Sequence, residues 1–153
     1  MLNDKLVTGV FNVVSDNSQW RNVYNPNYYG DIEKSAYQIE AGNGEFKAEW
    51  KTQLPRAGRY RVYCYIPPVN KMQTQKKGDM IVNTMLQEWQ TYFCIRGTDQ
   101  VHEIELTTVA YETGWVLLGT FDLSQGESKV ILDNRGLPGT LVYADAVKWE
   151  LTK

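Results

Sequence analysis

Apolar and polar residues take turns along much of this chain. From Phe46 to Lys51 the alternation puts Phe46, Ala48 and Trp50 on one side of an extended segment and Lys47, Glu49 and Lys51 on the other. Leu54-Pro55-Arg56-Ala57-Gly58 breaks that segment and turns it. The period of two returns from Arg59 to Ile66, where Tyr60, Val62, Cys64 and Ile66 form the core face. Arg59, Arg61, Tyr63 and Tyr65 are left on the outer face, and Pro67-Pro68 ends the strand.

Further strands follow. Trp89 to Ile95 has strand character, and Arg96 to Gln100 forms a hairpin loop around Gly97. His102, Ile104 and Leu106 share the inner parity of the next strand. Trp115, Leu117, Phe121 and Leu123 are then in phase, Ser124 to Glu127 turns the chain into Lys129 to Leu132, and 133–139 is a loop. A last strand runs from Thr140 to Leu151. Gly42-Asn43-Gly44 carries a hairpin signal, and residues 69–79 read as a solvated loop. Met80 to Gln90 fits either a short helix or a strand. No long helical period appears. Eight or nine short strands with Gly and Pro turns predict an all-β fold: an antiparallel, jelly-roll-like β-sandwich. No repeat or linker divides residues 1–153, so one domain is expected, with residues 1–14 as a leading strand or tail.

Composition narrows the function classes. A chain of 153 residues can bury roughly 68–70% of its unfolded surface, enough for a core without metal or disulfides. Sixteen Lys and Arg stand against 18 Asp and Glu, which disfavours nucleic acid as a partner. No apolar run reaches the length of a membrane span. Met1 to Leu6 lacks the basic and apolar regions of a signal peptide, as would a domain cut from a longer secreted chain. Five Trp, ten Tyr and four Phe are the distinctive feature, and they fit either strand packing or a stacking platform for a flat ligand.

Catalytic chemistry finds little support. Glu103 and Glu105 are a carboxylate pair two residues apart on one strand face, where a solvated charged face is the simpler reading. His102, the only histidine, falls on core parity and reads as a packing residue. No Gly-x-Ser-x-Gly elbow or phosphate-binding glycine loop occurs. Cys64 and Cys94 lie in strands, as buried thiols or as a disulfide if their strands are neighbours; with one His they make no metal-ligand set. Asp145, between Ala144 and Ala146, is expected to accept hydrogen bonds that fix a turn. A structural calcium site drawing on Asp122, Asp133 and Asn134 is the alternative, and no other cofactor is expected.

Two aromatic groups are candidate ligand sites. Tyr63 and Tyr65, beside Arg61, form an outer strand face on which a sugar ring would stack, and Arg61 would suit a sugar carboxylate. Packing under a loop or a neighbouring domain is the other reading of these rings. Trp20, Tyr24, Tyr28 and Tyr29 lie in an Asn-rich stretch with Pro26 and Gly30, which reads as a long loop of the kind that carries binding residues. Folding back over one end of the sandwich would occupy those four rings equally well.

The series Pro55-x-x-Gly58-x-Tyr60-x-Val62-Tyr63, Ile66-Pro67, Tyr92-x-Cys94-Ile95, Trp115-x-x-Leu118-Gly119-x-Phe121, Gly126, Val130-x-Leu132 and Tyr143-Ala144-Asp145-Ala146-Val147-Lys148 has a recognisable order. From about residue 15 to 150 the chain resembles the golvesin/xanthan-lyase-type carbohydrate-binding-like domain, a C-terminal module of bacterial multidomain proteins. The segment from Val69 to Trp89 is longer than the family's link, and Tyr143 is bulkier than the aliphatic residue of the family's closing motif. The resemblance implies a jelly-roll sandwich, a secreted, periplasmic or cell-surface location and a carbohydrate-related role.

The combined expectation is a noncatalytic accessory module that binds a polysaccharide or other glycan, within a larger polysaccharide-active or oxidoreductase chain. A structural domain docking against a neighbouring domain or subunit is the first alternative, and a small polysaccharide-active enzyme the second.

Overall fold

A computed structural model describes residues 6–8, 10–13, 20–24, 35–110 and 112–152. Its strands are β1 (Leu6–Thr8), β2 (Val10–Val13), β3 (Arg21–Tyr24), β4 (Ser35–Glu40), β5 (Lys47–Leu54), β6 (Gly58–Ile66) and β7 (Met72–Lys77). They continue as β8 (Met80–Met85), β9 (Glu88–Arg96), β10 (Val101–Val109), β11 (Gly114–Leu123), β12 (Gly126–Asp133), β13 (Leu141–Ala144) and β14 (Val147–Leu151). Among the described residues there are fourteen strands, against the eight or nine expected, and no helix.

Two antiparallel sheets carry the fold, one ordered β1-β14-β6-β11 and the other β10-β9-β12-β5-β2. Most neighbours are remote in sequence, so the chain crosses repeatedly between layers, as in a jelly roll. Smaller sheets, β13-β4-β3 and the β7-β8 hairpin, complete it. The inner faces meet in one core. Tyr60, Val62, Phe121 and Trp149 come from the first sheet and Ala48, Trp50, Ile95, Val130 and Leu132 from the second.

The core is also tied by hydrogen bonds. Trp149 Nε1 donates to Ser128 Oγ at 3.1 Å, and that hydroxyl donates to the Arg96 carbonyl at 2.6 Å. Ser128 is fully buried and belongs to the opposite sheet from Trp149. Its hydroxyl thus satisfies the indole N–H, which would otherwise be an orphan donor between the layers.

The period-two parity holds on β5, β6, β9 and β10, but fails on β11. Leu117 pairs with Tyr63 and Gly119 with Val62, which leaves Leu118 as an extra, bulged residue. Leu118 turns inward with Phe121 and Leu123, while Trp115 and Leu117 move to the outer face. Gly119 is required beside the bulge, because a Cβ there would stand 2.7 Å from Phe121 Cζ.

Three other expectations change. Residues 72–77 are strand β7 rather than loop, and Met80–Met85 is its partner β8, joined through Gly78 with φ of 63°. Both faces of this hairpin are solvated, so the sequence shows no apolar alternation there. Gly42-Asn43-Gly44 joins β4 to β5, which lie in different sheets, and so is not a hairpin turn. Asn134 holds that connection: its Oδ1 accepts from the amides of Gly44 and Phe46, and its Nδ2 donates to the Glu40 carbonyl. Finally, the closing strand divides into β13 and β14 in separate sheets, with Asp145 at the corner. The Asp145 carbonyl accepts from Trp50 Nε1 at 3.0 Å.

Candidate functional site

The outer face of the β14-β6-β11 sheet gathers rings and charges into one platform. Arg61, Tyr63 and Tyr65 alternate along β6, as the sequence parity requires. Lys148 and Leu117 flank Tyr63 on either side, Trp115 lies opposite Tyr65, and Glu150 lies opposite Arg61. Tyr65 and Trp115 meet edge to face, with centroids 5.4 Å apart. The Lys148 ammonium rests 4.9 Å from the Tyr63 ring centre and 4.3 Å from that of Trp115. Glu150 accepts from both Arg61 and the Tyr63 hydroxyl at 3.3 Å. These contacts fix the rings at the surface with polar groups beside them. The arrangement combines aromatic surface with hydrogen-bond donors and acceptors on one face.

The second sequence candidate is not a surface site at Trp20. That ring is 4% exposed and belongs to the hydrophobic core, packed inside despite its polar sequence neighbours. Burying an indole removes far more apolar surface from water than a polar loop would retain. Tyr28, Tyr29 and the side chain of Tyr24 lie outside the described residues.

Glu103 and Glu105 both stand exposed on the outer face of the edge strand β10. Glu105 accepts a hydrogen bond from Tyr92, which together with burial and the carboxylate charge raises the phenol above its ordinary value. His102 packs on Phe121 with ring centres 4.8 Å apart. Cys64 faces the core and its thiol is pushed up to about 12 by burial. Cys94 lies on the outer face of the other sheet, and both cysteines are free, so no disulfide joins them. Asp133 forms an ion pair with Arg135 at 2.9 Å, and Asp122 lies 4.0 Å from Arg59. Among the described residues no group of three or more His, Cys, Asp or Glu side chains is placed to hold a metal ion.

A groove on the other side of the sandwich was not anticipated. It encloses about 420 Å³ between β9, the 135–140 loop and the base of the hairpin. Lys71, Trp89, Gln90, Tyr92, Arg135 and Leu137 are among its walls. The Arg135 guanidinium stacks 4.2 Å over Tyr92 and is held in place by Asp133. Lys71, read as solvated, is 9% exposed. Its ammonium donates to the Leu141 carbonyl and lies 5.7 Å from the Trp89 ring and 5.9 Å from that of Tyr143. Burial draws its pKa down from 10.5 to about 8. Nothing in the local sequence separates this lysine from Lys76 and Lys77, because its partners come from β9 and β13.

The fold is an antiparallel β-sandwich shared with modules of several solved proteins. The chain belongs to the Golvesin C-terminal domain family, whose profile matches residues 10–151. Among solved structures, Paenibacillus xanthan lyase is similar at 17% identity and a TM-score of 0.63, over 100% of this chain and 14% of that one. The GH26-CBM35 β-(1,4)-mannanase of Podospora anserina is similar at 11% identity and a TM-score of 0.55, over 98% of this chain and 28% of that one. TmCBM61, solved with β-1,4-galactotriose, matches at 14% identity and a TM-score of 0.52, over 93% of this chain and 88% of that one. No curated protein matches the chain in sequence. The chain thus spans a small part of the xanthan lyase it resembles. No helix among the described residues is long and apolar enough to cross a membrane.

Proposed function

We propose that this chain is a noncatalytic, carbohydrate-binding module of a larger secreted or surface bacterial protein. The carrying observation is the Tyr63–Trp115–Lys148 platform, with its rings fixed across three strands and Arg61 and Glu150 at its margin. A pyranose laid on that face would present C–H bonds to the rings and hydroxyls to the charged groups. The likeness to TmCBM61 over nearly the whole of both chains supports the reading, since that module was solved with a galactotriose. No catalytic role is assigned: Glu103 and Glu105 stand on an open sheet face, and His102 packs against Phe121.

The test is affinity electrophoresis through polysaccharide gels together with a glycan array, using the wild type and the Tyr63→Ala and Trp115→Ala variants. Retardation by at least one polysaccharide, weakened tenfold or more by Trp115→Ala in a folded protein, is the expected result. A chain that no glycan retards would favour docking against a neighbouring domain. Met80 and Ile81, 68% and 70% exposed on the hairpin, are the observation that favours that second reading.

A further inference from the structure

We propose that the groove between β9 and the 135–140 loop is a second ligand site, separate from the platform, and that it takes a carboxylate-bearing sugar whose acid group pairs with Lys71. The inference builds on the carbohydrate reading but uses different residues on a different sheet.

Lys71 is the observation that points to a ligand. The residue is 9% exposed and lines the groove, yet among the described residues no carboxylate lies within ion-pair distance of it. One carbonyl and two ring faces are its partners, so the charge is solvated by dipoles and quadrupoles alone. An isolated buried cation is a costly arrangement, and a methionine would fill the same space without that penalty. An anion entering the groove would supply the missing charge in a desolvated setting, where the pairing is strongest.

The remaining walls favour a sugar as the carrier of that anion. Trp89 and Leu137 offer apolar surface to a ring face, and Tyr92 lies under the Arg135 guanidinium at the groove wall. Gln90 and Asn43 offer amide groups to sugar hydroxyls. Arg135 contributes its position more than its charge, because Asp133 neutralises it while Tyr92 holds it flat. The volume of about 420 Å³ suits one or two sugar residues. Lys71 is held in register by the hairpin base, where the Leu86 amide donates to the Lys71 carbonyl at 2.8 Å.

The experiment is calorimetric titration of the chain with oligoglucuronate, oligogalacturonate, the methyl esters of both, and sodium acetate. At least one acid oligosaccharide is expected to bind, with its methyl ester tenfold or more weaker and acetate weaker still. Lys71→Met should abolish that preference for the acid, and Tyr92→Ala should weaken binding several-fold, while Trp115→Ala leaves it intact. Retained platform binding of a neutral glycan by Lys71→Met shows that variant to be folded. Failure of both acids to bind, equal binding of acid and ester, acetate binding as tightly as the oligosaccharide, or an unaltered Lys71→Met would each overturn the proposal. Loss of neutral-glycan binding in Trp115→Ala alone concerns the platform and leaves this site standing.

Discussion

Lys148 reaches over an intervening strand to place its ammonium 4.3 Å from the centre of the Trp115 ring. The two residues belong to β14 and β11, with β6 between them, and Tyr63 on β6 is covered on the way at 4.9 Å. One flexible side chain therefore staples three strands on their outer surface while leaving ring area at the margin of the contact. Cation–π pairs at exposed positions contribute about 0.5–1 kcal/mol.

Lys148→Ala should accordingly lower the unfolding free energy by about 1 kcal/mol, read as a shift in the urea midpoint at constant slope. Glycan affinity at the platform should change more, because Tyr63 and Trp115 lose the group that orders them. A variant with unaltered midpoint and unaltered retardation in polysaccharide gels would show that the staple is ornamental.

How much of this was legible in the sequence depends on how local the cause is. Arg61, Tyr63 and Tyr65 could be placed on one outer face because strand parity is a property of neighbouring residues. Trp115 and Leu117 read as in phase with Phe121 and Leu123, yet a single bulged residue at Leu118 inverts the positions before it relative to those after. Trp20 fits either a binding loop or a ring folded back over the sandwich, and its burial is decided by residues far along the chain. Lys71 left no trace at all. The carbonyl that holds it lies 70 residues away, and the rings beside it come from separate strands. The β7–β8 hairpin is only half legible, with Met80–Met85 open to a strand and residues 72–77 reading as loop, because it packs neither face and its pairing owes nothing to an apolar pattern.

Lys71 gives the stability a defined pH dependence. Its pKa falls from 10.5 in the unfolded chain to about 8 in the fold, with burial as the cause. Below pH 8 both states are protonated and the fold bears the full penalty of the buried charge. Between about 8 and 10.5 the unfolded chain binds more protons than the folded one, so this residue's contribution to stability rises with pH. The displacement is equivalent to about 3 kcal/mol. Urea titrations at pH 7 and pH 10 should show the wild type gaining on Lys71→Met by an amount of that order. A constant difference between the two proteins at both pH values would contradict the burial of this ammonium.

The two thiols should separate cleanly under a disulfide reagent. Cys64 is buried, and its pKa of about 12 leaves almost no thiolate at pH 8, whereas Cys94 is partly exposed on the opposite sheet's outer face. In the folded protein one thiol should react, and the second only after denaturant is added. Cys94→Ser should abolish the fast reaction and Cys64→Ser should preserve it. Two thiols reacting together, or none, would be incompatible with these strand orientations.

Gly139 sets the junction between the hairpin and the groove. Its φ is 84°, and a Cβ at this position would collide with the carbonyl oxygen of Thr74 on β7. Its own carbonyl accepts from the Thr74 amide at 2.8 Å, so the 135–140 loop and the hairpin meet here by backbone contact. Gly78 shares the positive φ, at 63°, but has open space where a Cβ would stand. Gly139→Ala should therefore combine strain with collision and lose about 2–3 kcal/mol, while Gly78→Ala should lose only about 1 kcal/mol from backbone strain. Urea midpoints would rank the two, and amide exchange at Thr74 should accelerate in Gly139→Ala alone. Equal losses with an unaltered Thr74 amide would mean that the hairpin is not anchored at this point and that the groove has no fixed wall on that side.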